Sequence, residues 1–102
     1  MLHVWVLKNP NDDRAFRKKE SAVDERHRLS LEEVDGIPIS PLLLQSNLAD
    51  DATVVYAVWC KDLEYENRIY IQGFVSQEDA ARAAKFWRVG TMDSGYVEIP
   101  VT

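Results

Sequence analysis

The segment Asn67–Trp87, NRIYIQGFVSQEDAARAAKFW, changes its hydrophobic period once, near Ser76. Before Ser76 the side chains alternate as in a β-strand, so that Tyr70, Gln72 and Phe74 share one face. After Ser76, which is a typical N-cap, the apolar residues recur at helical spacing. These apolar helix positions are Ala80, Ala83, Ala84 and Trp87. A strand that leads directly into an amphipathic helix indicates an α+β fold, in which the helix packs on a sheet.

The rest of the chain is predicted to add three strands and further helical segments. The four predicted strands are His3–Lys8, Thr53–Cys60, Arg68–Val75 and Gly95–Val101. A charged helix is predicted to follow Asn11–Asp13. A short helix is predicted at Ser40–Leu48, with Ser40 as its N-cap and Pro41 in its first turn. No internal repeat is evident in the sequence.

This order, β-α-β-β-α-β, predicts a ferredoxin-like fold, a four-stranded antiparallel sheet with its helices on one face. Residues 1–102 would form a single domain, with residues 12–48 as an irregular helical insertion between the first two strands. The first strand is expected beside Arg68–Val75 at the centre of the sheet. Pro100 predicts an edge position for the last strand, because proline cannot donate a hydrogen bond to a ladder.

The second face of such a sheet would be open and rich in aromatic side chains. The residues expected there are Trp5, Tyr70, Gln72, Phe74 and Tyr96, together with His3, Leu7 and Glu98. On the strand Thr53–Cys60 either Tyr56 or Trp59 would join them. Cross-strand packing alone favours aromatic side chains on a sheet, so a docked loop or a dimer partner could cover them. The alternative is a platform that stacks on the bases of a single-stranded nucleic acid.

The net charge of −5 opposes a nucleic-acid partner, because neutralising phosphates supplies much of the affinity for nucleic acids. One basic cluster, formed by Arg82, Lys85 and Arg88, lies on a predicted helix and away from the open face. The single cysteine, Cys60, cannot form an intramolecular disulfide, which favours a reducing, intracellular location. No segment has the roughly 20 apolar residues of a membrane span, and the N-terminus does not resemble a signal peptide.

Two short motifs resemble the replication-initiator (Rep) proteins of circular single-stranded DNA viruses. Val4–Pro10, VWVLKNP, resembles their first motif, a strand that ends in T-L-N-N-P. Tyr70–Val75, YIQGFV, resembles their second motif, H-L-Q-G-F/Y. The resemblance implies a βαββαβ nicking domain that binds single-stranded DNA. In that family the histidine and glutamine of the second motif hold a divalent metal, together with a carboxylate from the second strand or its hairpin.

The chain departs from the Rep pattern at the positions that carry nicking. Tyr70 stands in place of the metal-binding histidine, and tyrosine is a poor ligand for a hard divalent ion. The remaining candidates for a metal site are Gln72, Asp62 and Glu64. Tyr96 has Ile99 where the family's nucleophile helix has lysine. No catalytic residue and no cofactor are therefore assigned, and nicking activity is not expected.

The segment Arg68–Phe86 also resembles the third strand and second helix of an RNA-recognition motif, whose aromatic side chains stack on RNA bases. Two functions of different classes stay open. The first hypothesis is a Rep-like domain that binds single-stranded nucleic acid without nicking it. Its binding residues would be Trp5, Tyr70, Gln72, Phe74 and Tyr96. The second hypothesis is an intracellular protein-interaction module that uses the same sheet face.

Overall fold

The computed structural model of the protein describes residues 3–8, 13–31, 38–62, 69–88 and 92–102. Within these residues the elements are β1 (His3–Leu7), β2 (Arg14–Phe16), α1 (Lys19–Leu31), β3 (Ile39–Leu43), β4 (Val54–Asp62), β5 (Ile69–Phe74), α2 (Gln77–Phe86) and β6 (Met92–Pro100). The strands form two three-stranded antiparallel sheets, in the orders β2-β1-β3 and β5-β4-β6. The α+β class is confirmed, but the single four-stranded ferredoxin-like sheet is wrong.

The neighbours of the first strand also differ from the expected ones. In β1, Trp5 lies opposite Phe16 of β2 on one side and Pro41 of β3 on the other. The strand β5 pairs with β4 in the other sheet, so it is not the neighbour of β1. The fold that the Rep resemblance implied is therefore not the fold of the described residues, and the resemblance itself stays a prediction.

The region between the first two predicted strands contains two strands that the sequence analysis assigned to helices. Arg14–Phe16 forms β2, and the helix α1 begins only at Lys19. The predicted short helix at Ser40–Leu48 is wrong, because Ile39–Leu43 forms the edge strand β3. A proline is tolerated in an edge strand as well as in a first helical turn, so Pro41 fits both. The deciding contacts are tertiary: Leu42 and Leu44 are buried, whereas Leu43 is 60% exposed.

Each half of the chain builds one sheet by the same path. The order strand, strand, helix, strand occurs as β1-β2-α1-β3 and again as β4-β5-α2-β6, and in both sheets the first strand is central. The registers correspond as well. Val6 in β1 lies opposite Ala15 and Ser40, whereas Ala57 in β4 lies opposite Gly73 and Val97. The two halves are thus related by an approximate internal duplication.

The two sheets are joined at equivalent points of the duplicated plan. A parallel bridge connects Ala15 of β2 with Val101, which follows β6. Its counterpart connects Gly73 of β5 with Leu44, which follows β3. The Gln45 N–H donates to the Gly73 carbonyl at 3.1 Å, and the Thr102 N–H donates to the Ala15 carbonyl at 2.8 Å. Each half therefore ends by pairing with the second strand of the other half.

The main core lies between the two sheets and draws on both halves. Its buried members are Val4, Val6, Ala15, Leu42, Leu44, Val55, Ala57 and Ile99. The outer face of the first sheet is covered by α1, which packs Ala22 and Leu29 against Leu7 and Phe16. The outer face of the second sheet is covered by α2 in a cluster that contains Val58, Phe74, Ala80 and Ala84.

The open aromatic sheet face that the four-stranded fold predicted is therefore not present in the described residues. Each sheet has the other sheet on one face and a helix on the other. The prediction from Pro100 is confirmed, because β6 is an edge strand of its sheet.

Candidate functional site

The alternation of the strand predicted Tyr70, Gln72 and Phe74 on one face, but a β-bulge in β5 separates them. Val58 lies opposite Gln72, but its neighbour Trp59 lies opposite Tyr70, so Ile71 is the extra residue. A bulge reverses the side-chain alternation beyond it. As a result Tyr70 packs against the core between the sheets, while Phe74 packs on the opposite side, under α2.

The side chain of Tyr70 makes structural contacts and does not present its ring to solvent. Its hydroxyl donates a hydrogen bond to the carboxylate of Asp13. The ammonium of Lys8 lies 4.7 Å from the centre of its ring. These contacts tie β5 to the ends of β1 and β2, so Tyr70 connects the two sheets.

Trp5 and Tyr96 also have structural neighbours on the outer faces of the sheets. The ring of Trp5 packs beside α1, with the Lys19 ammonium at 5.3 Å and the His3 ring edge-on at 5.0 Å. The ring of Tyr96 lies 6.3 Å from the ring of Tyr56. The Gln77 side-chain amide donates to the Tyr96 hydroxyl at 3.1 Å. Both residues are half-buried, and they lie on different sheets.

Gln72 and Phe74 are the two predicted site residues that the structure brings together. They line an open groove of about 620 Å³ between β5 and α2, called here the β5–α2 groove. Its lining residues are Gln45, Gln72, Phe74, Asp79, Arg82, Ala83, Phe86 and Trp87. Phe74 is 6% exposed, so it forms the floor and is not available to stack on a base.

The helix α2 is placed beside β5 by its sequence. Ser76 adopts an extended conformation and its hydroxyl accepts a hydrogen bond from the Asp79 N–H at 3.5 Å. Glu78 and Asp79 in the first turn and Lys85 in the last turn complement the helix dipole. The buried alanines of the helix then let it lie close to the sheet, so that its C-terminal half forms one wall of the groove.

The rim of the groove carries an exposed aromatic pair at the end of α2. Phe86 is 79% exposed and Trp87 is 43% exposed, with their rings edge-on and 6.4 Å apart. Sequence reasoning assigned Trp87 to the buried stripe of the helix and did not assign Phe86 to a site. The signal that could have found Phe86 is its phase, because a phenylalanine outside the apolar stripe of an amphipathic helix must face solvent.

The charges around the groove are largely engaged with one another. Arg82 contacts Asp79 at 3.4 Å. Arg88 lies 4.0 Å from Asp93 and donates to the Ser94 carbonyl at 3.1 Å. Lys85 forms no ion pair with any residue that the structure describes. Lys85 and Arg88 line a separate pocket on the β6 side of α2, so the cation in the lining of the groove is Arg82, which is paired with Asp79.

The equivalent position in the first half of the chain carries an ion-pair cluster. Glu25 of α1 contacts Arg14 of β2 at 3.4 Å and Arg28 at 2.5 Å. The Arg14 guanidinium also lies 5.8 Å from the centre of the Phe16 ring, which corresponds to Phe74. The hydrogen bond from Arg28 holds the pKa of Glu25 below its ordinary value, although burial opposes this.

Counting from the start of each helix, Ala83 and Phe86 of α2 stand where α1 has Glu25 and Arg28. Gln72 likewise stands where β2 has Arg14, since each lies two residues before the corresponding phenylalanine. Three charged side chains that form the ion-pair cluster of the first half are thus replaced by an amide, a methyl group and an exposed ring. The β5–α2 groove lies where this replacement occurs.

The weak metal candidates are not assembled in the described part of the chain. Gln72 lies in the groove, while the side chain of Asp62 and all of Glu64 lie outside the described residues. Among the residues that are described, no three histidine, cysteine, aspartate or glutamate side chains are grouped to hold a metal ion. Neither described helix is long and apolar enough to cross a membrane.

Comparisons of the chain with family models, with curated proteins and with solved structures found no match.

Proposed function

We propose that this protein is a protein-binding module and that its binding surface is the β5–α2 groove. The observation that carries the proposal is the exposed pair Phe86 and Trp87 at the rim of a groove with an apolar floor. Large aromatic residues and arginine are enriched at the centres of protein interfaces. The fold does not require an aromatic ring at this point, because the first half carries Arg28 at the position of Phe86.

The groove suits an apolar side chain supplied by the partner. Phe74 and Ala83 would contact such a side chain from below, and Phe86 would cover it from the side. Transferring the side chain from water into this space is favourable in proportion to the apolar area that both partners bury. A volume of about 620 Å³ lies within the usual range of ligand sites.

Single-stranded nucleic acid is the less favoured partner for the same surface. Affinity for phosphates requires several available cations, but Arg82 and Arg88 are engaged with Asp79 and Asp93. The chain as a whole carries a charge of −5. The floor residue Phe74 is too deeply buried to act as the stacking ring that the nucleic-acid hypothesis required.

The first half of the chain supplies the variant that tests the proposal. Ala83→Glu combined with Phe86→Arg builds the Glu25–Arg28 pair into α2, in a geometry that the fold already accepts in α1. Random peptides displayed on phage would be selected against the natural protein, and their affinities measured for both proteins by fluorescence anisotropy. We expect binding to weaken about thirtyfold or more in the double variant, because losing a central aromatic anchor costs about 2 kcal/mol.

The matched control is Glu25→Ala with Arg28→Ala, which changes the equivalent surface of α1 and should leave peptide binding unchanged. Melting temperatures of all variants would establish that each is folded. The proposal fails if no peptide is enriched, or if the enriched peptides bind the double variant as well as they bind the natural protein. It also fails if a labelled oligothymidylate or oligouridylate binds through Phe86 instead, or if sedimentation shows that a second copy of the chain occupies the groove.

A further inference from the structure

We infer that the β5–α2 groove binds its partner as an extended peptide segment, whose backbone is held by the side-chain amides of Gln45 and Gln72. This inference rests on the proposed function and adds the conformation of the partner to it. Two observations support it: the amide side chains in the groove lining, and the backbone pairing at the outer edge of β5.

The first observation is a pair of amide side chains in the same groove. Gln45 comes from the segment that follows β3, and Gln72 comes from β5. Neither side chain makes a hydrogen bond with the part of the chain that the structure describes. A primary amide presents a donor and an acceptor side by side, which matches the carbonyl and N–H groups of a peptide backbone.

The two glutamine amides need free backbone N–H and carbonyl groups in the partner, and this favours an extended segment over a helix. A helix pairs its backbone N–H and carbonyl groups internally, so the two glutamine amides would find no partners along its length. An extended segment leaves these groups free and directs alternate side chains to opposite sides. One of those side chains can then enter the apolar space over Phe74 and Ala83 while the glutamines hold the backbone.

The second observation is that the outer edge of β5 already accepts an extended segment of this chain. Leu44 forms a parallel bridge with Gly73, and the Gln45 N–H donates to the Gly73 carbonyl at 3.1 Å. The groove begins where this segment leaves the edge, and the Gln45 side chain lies in it. Beyond Leu44 this segment bends at Gln45 and Ser46, so the strand that an extended ligand would lie beside is β5 itself.

The pair of amides is found beside α2 and not at the equivalent points beside α1. At the equivalent points beside α1, Arg14 stands in place of Gln72, and Thr102, which follows β6, stands in place of Gln45. Arg14 is engaged with Glu25, and neither Arg14 nor Thr102 carries an amide side chain, so these two points beside α1 lack the pair. Gln72, which stands in place of Arg14, thus supplies one of the two amides that would bind a peptide backbone.

The test is a double-mutant cycle that combines N-methylation of the peptide backbone with substitution of each glutamine. A peptide selected against the natural protein would be synthesised with N-methyl groups at each peptide bond in turn, which removes one backbone donor at a time. We expect methylation at one or two bonds to weaken binding to the natural protein about tenfold. Against Gln72→Ala or Gln45→Ala the same methylation should weaken binding about twofold or less.

Gln77→Ala is the matched control, because Gln77 lies outside the groove and donates to Tyr96; this variant should keep the full tenfold effect of methylation. The inference is overturned if every methylated peptide loses the same factor against all variants, or if the bound peptide is helical by NMR. In that case the proposed function still stands as long as Ala83→Glu with Phe86→Arg abolishes binding. If no peptide binds the natural protein, the proposed function itself fails.

Discussion

Gly73 and Ala15 occupy equivalent positions of the two halves but differ by one methyl group, and their surroundings explain the difference. A Cβ atom on Gly73 would lie 2.5 Å from Leu44 Cδ2 and 2.9 Å from Leu42 Cδ2. Both leucines are buried in the core between the sheets, so their side chains have little room to move. Ala15 already carries its Cβ and is fully buried, so the first half accepts the methyl group that the second half excludes.

Gly73→Ala is therefore expected to lower the free energy of unfolding by about 1–3 kcal/mol, the usual effect of adding a methyl group to a packed core. Urea denaturation followed by tryptophan fluorescence would measure the change. Leu44→Val removes the nearest Cδ atom, so the combined variant should lose less stability than the sum of the two single variants. Strict additivity would show that Leu44 is not the side chain that resists the methyl group.

Each helix packs on the outer face of one sheet, but the two helices differ in the composition of their surfaces. The helix α2 is rich in alanine and leaves apolar groups beside its strand. The helix α1 is highly charged, and Glu25 joins Arg14 and Arg28 in one cluster. Since the Arg28 hydrogen bond lowers the pKa of Glu25 in the folded protein, the cluster makes a pH-dependent contribution to stability.

Because the pKa of Glu25 is lower in the folded state, its contribution is present above the ordinary pKa of a glutamate and is lost as the pH falls through the lowered value. We expect Glu25→Gln to reduce the melting temperature near pH 7, and we expect this effect to shrink as the pH falls below the ordinary glutamate pKa and through the lowered one. The difference in free energy at neutral pH should be about 1 kcal/mol or less, since the pair is partly exposed. Glu98→Gln, which removes an exposed carboxylate of β6 with no ion pair among the described residues, serves as the control. A Glu25→Gln effect that is constant with pH would contradict the assignment.

At the scale of the whole molecule, the two halves depend on each other for their core. The buried cluster between the sheets takes side chains from both halves. Arg17 of the first half also donates to the carbonyl groups of Ala49, Asp50 and Ala52 at 2.9, 3.2 and 2.9 Å, and so fixes the segment that connects the halves. Each half alone would expose the inner face of its sheet to water.

Separately produced fragments 1–50 and 51–102 are therefore expected to be largely unfolded as monomers and to assemble when mixed. A three-stranded sheet with one helix buries too little apolar area to offset the conformational entropy of the chain. Far-UV circular dichroism of each fragment and of the equimolar mixture would measure this, with the intact chain as reference. A cooperative thermal transition of either fragment as a monomer would contradict the interdependence of the halves.

The sequence by itself determined the elements that local spacing encodes. Alternating and helical periods located β1, β4, β5, α2 and β6, and Ser76 and Pro100 correctly predicted a helix cap and an edge strand. These signals need only a few neighbouring residues, because side-chain direction follows the backbone geometry of a single element. The strands β2 and β3 were missed because β2 is three residues long and because Ser40-Pro41 suits an edge strand as well as a helix start.

Tertiary structure alone decided which strands pair, and the strand pairing determines where the β5–α2 groove lies. The same order of local elements is compatible with one sheet or two, since pairing depends on long-range contacts between residues such as Leu44 and Gly73. The bulge at Ile71, which places Tyr70 and Phe74 on opposite faces, arises from register with β4 and leaves no mark in the alternation of β5. The contrast between Phe86 and its counterpart Arg28 became visible only when the two halves could be compared, because the cluster of Arg14, Glu25 and Arg28 is brought together by folding.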